Sequence, residues 1–191
     1  MLNQPEFIGL LQAGNQQAFA QLVEEWGSMV YNTALGIVQQ EEDADDITQE
    51  VFAEVYRSVS SFKGESRLST WIYRIAVRKA LDWEKKRKRK KRFAFFRSLT
   101  GDDGEAEIQP AEFNHPGVQL EKKESAAALM KALRTLPDNQ RVAFTLQKLE
   151  GLSYQEIAAV LEITVQAVES LLARAKKNLK NELMEFYQQN R

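Results

Sequence analysis

The chain is read as all-α: two small helical domains joined by a flexible acidic linker, the C-terminal one containing a helix-turn-helix. Three observations lead there. Apolar residues recur three and four positions apart through most of the sequence, the spacing of one helix face. The apolar–polar alternation rich in β-branched residues that marks strands is missing. Gly and Pro, 9 and 4 of 191 residues, gather in a few places and punctuate the helical stretches there.

Taken in order, a short helix is expected over about Gln4–Gln12 and a longer one over Asn15–Gln39, with Phe19, Leu22, Val23, Trp26, Val30, Tyr31 and Leu35 on its apolar side. Asp43–Ser58 repeats the pattern with Ile47, Val51, Phe52 and Val55. A loop, Ser61–Ser66, carries Phe62 and Gly64, and a fourth helix runs from Leu68 to about Arg92 with Trp71, Ile72, Ile75, Ala76 and Leu81 inside. From Phe93 to Gly117 the pattern breaks at Gly101, Gly104, Pro110 and Pro116, as a flexible linker does. Phe93, Phe95 and Phe96 read as an apolar tail of the first core. Glu121–Thr135 is then helical up to Pro137, and Asn139–Leu149 up to Gly151. The domains are placed at 1–95 and 121–191, with 96–120 as a tether that lets them move apart.

Residues 152–177 hold the most informative pattern. Ser153 and Glu156 form a capping box that opens one helix. Ile157 and Leu161 share its buried face, and Ala158 is small where two helices meet. Ile163 fills the turn, Thr164 caps a second helix, and Val168, Leu171 and Leu172 turn that helix toward the core. Its other side presents Gln166, Glu169, Ser170, Arg174 and Lys177, residue types that address base edges and phosphates. An ordinary packed helix pair has the same periodicity.

Composition excludes several classes. There is no Cys and one His, His115, so disulfides, thiol catalysis and a zinc site of Cys and His are ruled out. No metal site and no cofactor are expected. No segment reaches the length of a membrane span or has the form of a signal peptide, so no membrane insertion and a cytoplasmic location are expected. A net charge of −1 conceals segregation: every residue from Lys85 to Arg92 is basic, while Ser98–Leu120 holds five acids and no Lys or Arg.

Beyond these patterns, the first lobe's Asp43-Ala44-Asp45-Asp46-Ile47-Thr48-Gln49-Glu50-Val51-Phe52 and the run from Phe62-Lys63-Gly64-Glu65-Ser66-Arg67 to Ala76 resemble the extracytoplasmic-function sigma factors of bacterial RNA polymerase. In the second lobe Leu136-Pro137, Arg141 and Gly151-Leu152-Ser153-Tyr154-Gln155-Glu156-Ile157-Ala158 carry the same resemblance. It implies a factor that binds core RNA polymerase and promoter DNA without catalysing a reaction, and that an anti-sigma factor can restrain.

The resemblance also implies sites. Asp45, Asp46, Gln49 and Glu50, beside Phe52, would dock on the polymerase; a helix N-terminus enriched in acids for dipole reasons gives a blander account. The loop with Lys63, Gly64, Ser66, Arg67, Ser69 and Thr70 would receive a base flipped from the −10 element, at a cost of a few kcal/mol that contacts offset. Trp71 fits core better than stacking. Arg74, Arg78 and Lys79 would follow phosphates, and the run to Arg92 would extend them, unless it is a solvated charged tail. In the second lobe Arg141 and Ser153 would hold phosphates, and Thr164, Gln166, Glu169, Ser170, Arg174 and Lys177 would meet the −35 element. Two departures stand out: Glu162 occupies a turn position where Gly is frequent, at roughly 1 kcal/mol if left-handed, and Glu169 stands where a base is common. The linker reads equally as a spacer or as an acidic segment for the polymerase cleft. Two other classes compete: a stand-alone helix-turn-helix regulator, which leaves the first lobe unexplained, and a small carboxylate hydrolase, which lacks a second cluster.

Overall fold

The computed structural model describes residues 4–99 and 120–189; within these the helices are α1 Pro5–Gln12, α2 Gln16–Val38, α3 Glu41–Ser58, α4 Leu68–Leu99, α5 Leu120–Thr135, α6 Asp138–Lys148, α7 Tyr154–Leu161 and α8 Val165–Gln189. One 3-10 turn, Val59–Ser61, follows α3. The elements expected from sequence are present, with ends moved by one or two residues in most cases. The larger difference is α4, which runs past Arg92 to Leu99 because the basic run offers no breaker. Phe93 is 68% exposed, so it does not join the first core. The acidic tether, with His115, lies outside the described residues from residue 100 onward.

Local chemistry explains the helix ends. Asn15 opens α2 by accepting the Ala18 N–H at 3.0 Å, and Pro5 opens α1 at a position needing no donor. The capping box of α7 is complete: Ser153 Oγ accepts from the Glu156 N–H, and Glu156 Oε2 accepts from the Ser153 N–H. Those hydrogen bonds hold the Glu156 carboxyl below its ordinary value, the Ser153 backbone contributing most. Thr164 Oγ1 accepts the Ala167 N–H at 3.2 Å and opens α8.

In the first lobe α2, α3 and α4 pack around Leu22, Val30, Ile47, Val51, Ile72 and Ala76. Phe19 meets Phe52 and Tyr56 edge to face. The second lobe has a small core of its own, Leu133, Leu136, Ala175 and Leu179. The helix-turn-helix core behaves differently. Val142, Leu146, Ile157, Val168 and Leu172 belong to one buried cluster with the first lobe. The two lobes are thus packed together, a contact that the reading of two units joined by a flexible linker did not specify.

Gly36 makes this close packing feasible. Any Cβ there would fall 2.5 Å from Thr145 Cγ2 and 3.0 Å from Leu149 Cδ1. The bare backbone lets α6 approach α2 closely enough for Thr145 Oγ1 to donate to the Gly36 carbonyl at 3.2 Å.

Candidate nucleic-acid interface

Along the second lobe, α8 has one buried side and one open side. Val168, Leu172, Ala175 and Leu179 are buried, and Gln166, Glu169, Ser170, Arg174 and Lys177 are exposed. Thr164 sits exposed at the head of this open side. The five side chains read as DNA contacts therefore share the solvent-facing side of one helix that follows a capped turn.

The acidic segment sits on α3. Asp45, Asp46, Gln49 and Glu50 are exposed, because Ala44, Ile47 and Val51 take the buried side. Phe52 is buried and supports this face without forming part of its surface. Glu50 is also a partner of Lys79, 3.5 Å away, and Lys79 approaches Glu54 at 3.9 Å. Lys79 is thus turned toward α3, away from the role of a free phosphate contact.

In the loop before α4, Lys63, Gly64 and Arg67 are exposed, Ser66 and Ser69 are half-buried, and Thr70 is buried. Gly64 has φ +71°, a left-handed turn that favours glycine. Trp71 is half-buried with its ring 5.2 Å from that of Phe62. Arg78 is exposed.

Several residues read as phosphate contacts have other work in this arrangement. Arg141 is 4% exposed; its Nη2 lies 2.8 Å from Asp138 Oδ1 and 3.5 Å from Glu84 Oε2. No phosphate can reach it there. Ser153 spends both its donors, backbone and hydroxyl, on Glu156 Oε2. Arg74 gives Nε and Nη2 to the Ala159 carbonyl, at 3.0 and 2.8 Å, and Nη1 lies 3.3 Å from Glu162 Oε1. Arg67 lies 3.4 Å from Glu156 Oε1. For Arg67 and Arg74 the partners come from the opposite lobe.

The basic run divides in the same manner. Arg87 pairs with the buried Glu84 and donates to Gln40 Oε1 at 2.8 Å; Lys88 reaches Asp138 at 2.7 Å. Lys85, Lys86, Arg89 and Lys90 face solvent. Helical geometry separates the two sets, since α4 turns neighbouring residues to different sides.

Sequence reasoning missed the residues that join the lobes: Gly36, Gln39, Glu84 and Arg134 went unremarked, and Tyr73 and Glu150 were not singled out. A Gly inside an apolar helix stretch was the available signal for Gly36. Between the lobes lies an open cleft of about 700 Å³, lined in part by Trp71, Ile75, Val160, Ile163 and Leu171, with Arg78 and Arg174 at it.

Residues 22–92 match Sigma-70 region 2 and residues 126–179 match Sigma-70 region 4. The ECF RNA polymerase sigma-E factor of Escherichia coli (strain K12) is 31% identical over 173 residues, covering 91% of this chain and 90% of the relative. The chain belongs to the extracytoplasmic-function sigma factor family. The RNA polymerase sigma-H factor of Pseudomonas aeruginosa is 30% identical over 182 residues, with 90% and 89% covered. Among solved structures, CnrH in complex with the cytosolic domain of CnrY has a TM-score of 0.67 at 24% identity, over 94% of this chain and 96% of that one. RpoE in complex with the anti-sigma factor NepR, from Bartonella quintana, has a TM-score of 0.63 at 23% identity, with 87% and 96% covered. These two establish the sigma fold. A promoter-specific sigma factor accounts for both lobes, which a stand-alone helix-turn-helix regulator does not. Among the described residues no helix is long and apolar enough to cross a membrane.

Proposed function

We propose that this sigma factor acts by binding alone, in the cytoplasm, and that its contacts divide among three surfaces. Asp45, Asp46 and Gln49 on α3 dock on core RNA polymerase. Lys63, Arg67, Ser69, Arg74 and Arg78 serve the −10 element once the lobes part. Gln166, Glu169, Ser170, Arg174 and Lys177 read the −35 element from the major groove. The observation that carries the reading is α8, on which those five polar residues are exposed while Val168, Leu172, Ala175 and Leu179 are buried. Glu169 accepts from cytosine N4 in this reading, and Arg174 donates to guanine O6 and N7 or to a phosphate.

The boundaries we propose for the functional units are 1–95 and 121–191. An anti-sigma factor is a fitting further partner, since the two solved relatives above were both captured with partner proteins.

Transcription by core polymerase from a randomised promoter library tests the reading directly. The chain is expected to select −10 and −35 sequences, and product equal to core polymerase alone would remove it. Asp45→Arg with Asp46→Arg is expected to weaken polymerase binding in a titration while leaving the helical content unchanged. Glu50 is left intact because it also holds Lys79.

A further inference from the structure

Among the described residues, two non-glycine positions have positive φ, Gln39 and Glu162, both at 56°. Both are helix C-caps, of α2 and α7, where glycine is the strain-free choice. Each lies at the junction of the lobes, and each holds an arginine from the other side. Gln39, in the first lobe, accepts Arg134 of the second: Nε to Oε1 at 3.0 Å and Nη2 to the backbone carbonyl at 2.8 Å. Glu162, in the second lobe, meets Arg74 of the first, whose other two guanidinium nitrogens take the Ala159 carbonyl. In both clasps the cation also satisfies a carbonyl at the end of a helix, where the dipole is negative.

We propose that these reciprocal arginine clasps hold the free protein closed, with Arg67 and Arg74 of the first lobe engaged by the second and α7 of the second lobe packed against α4 of the first, until polymerase parts them. The inference rests on the sigma reading for what the engaged residues do. Strained caps persist where surrounding structure gains from the side chain, and here the side chain is the half of a clasp that glycine lacks. Closure has visible consequences for DNA. Arg67 and Arg74, on the −10 side, are engaged by Glu156, Ala159 and Glu162. In a helix-turn-helix complex the first helix crosses the DNA backbone, and here α4 packs on that helix, α7. Duplex cannot pass along α7 while α4 remains. The buried Glu84–Arg141 pair, the Tyr73–Glu150 hydrogen bond and the bare Gly36 backbone against Thr145 complete the junction.

Three changes, none in a proposed DNA or polymerase contact, test this in the full chain. Gln39→Gly with Glu162→Gly removes the clasping side chains while relieving the left-handed caps, so folding is preserved. Gly36→Leu drives a side chain into Thr145, and α2 tolerates it because Leu is the better helix former. Small-angle scattering of the free protein is expected to show a larger radius of gyration for each variant. Affinity of the free protein for a −35 duplex is expected to rise roughly tenfold or more, because a rarely populated competent state weakens apparent binding by its population. Transcription by the reconstituted holoenzyme is expected to remain near that of the parent. Variants that stay as compact as the parent would overturn the clasps as the hold. Variants that open without binding duplex more tightly would overturn occlusion. Failure of the sigma reading is seen separately, as a parent protein that gives core polymerase no promoter selectivity.

Discussion

Helix α8, which we propose reads the −35 element, and the side of α4 that we propose serves the −10 element are both polar and rich in cations, yet they stand differently in the structure. On α8 the polar side chains face solvent, and Arg174 donates to the Ser170 carbonyl of its own helix. On α4, Arg74, Arg87 and Lys88 each reach across to another element, and Glu84 lies buried against Arg87 and Arg141. The difference teaches that residue type does not separate a side chain kept for a ligand from one used by the fold. What separates them is whether the side chain has a partner when the ligand is absent. The α8 side chains are free of the other lobe and wait only for α4 to leave α7, whereas Arg74 on α4 must itself be released from its partners.

The largest expected effect lies on the inner side of α4. Glu84→Ala removes the buried carboxylate that Arg87 and Arg141 share. Breaking a buried pair on one side leaves an uncompensated charge, at about 3–5 kcal/mol. Urea unfolding is expected to show that decrease. A decrease under about 1 kcal/mol, the range of exposed pairs, would show that the inner side is as solvated as the outer one.

Next comes the outer side. Replacing Lys85, Lys86, Arg89 and Lys90 by Gln is expected to leave stability nearly unchanged and to weaken holoenzyme binding to promoters of every sequence alike. The slope of log affinity against log salt should become shallower by about 0.9 for each phosphate that is no longer neutralised. Replacing Arg87 and Lys88 instead should cost stability, since these hold Glu84 and Asp138. If both sets of substitutions affect only DNA binding, the division of α4 into two sides fails.

Much of this was legible in the sequence where the cause is local. The Ser153–Glu156 box, the Thr164 cap and the stops at Pro137 and Gly151 each act within a few residues, so spacing reveals them. The left-handed turn at Glu162 was legible as a departure from a commoner Gly, but its reason was not. That reason, Arg74, lies 85 residues from the Ala159 carbonyl it also binds. Arg134 and Gln39 are 95 apart in the chain, and Tyr73 and Glu150 are 77 apart. Pairings at such separation leave no period in the sequence. Charged residues there look the same whether they face water, DNA or another lobe, which is why Arg141 read as a phosphate contact and is instead buried.

On the α8 side of the comparison, Glu169→Arg turns an acceptor into a double donor on a helix whose polar face is open to solvent. The preferred base at one −35 position is expected to shift, by about 1–3 kcal/mol of discrimination. A randomised −35 library reads this directly. A profile equal to the parent at every position would place Glu169 at the groove's edge and leave specificity to Gln166 and Arg174.

The smallest expected effect sharpens the comparison by titration, because one hydrogen bond across the junction involves a group that can gain or lose a proton near neutrality. Tyr73 of α4 donates to Glu150 Oε2 at 3.1 Å, and Glu150 Oε1 is buried without a partner. Burial pushes the Glu150 carboxyl up from 4.5 to about 7, the Tyr73 hydrogen bond pulling it partly back. Tyr73 itself is raised, by its own burial and then by Glu150 and Glu156, so it stays a donor throughout. When the lobes part, water reaches Glu150 and its pKa returns toward 4.5. The closed form therefore binds more protons than the open form between those values. Closure is favoured in full below the open-form value, loses ground as pH rises to about 7, and changes little above that. Opening is expected to increase by a factor on the order of ten between about pH 5.5 and pH 8. The chain has no Cys, so two introduced cysteines, one per lobe, can carry a dye pair that reports the separation. Glu150→Gln, always neutral, should hold the lobes closed across the range and flatten the response. Imidazole is the side chain whose ordinary range overlaps this window, and the chain has one histidine, so His115→Gln must leave the response in place. A response that survives Glu150→Gln and disappears with His115→Gln would move the proton from the lobe junction to the tether.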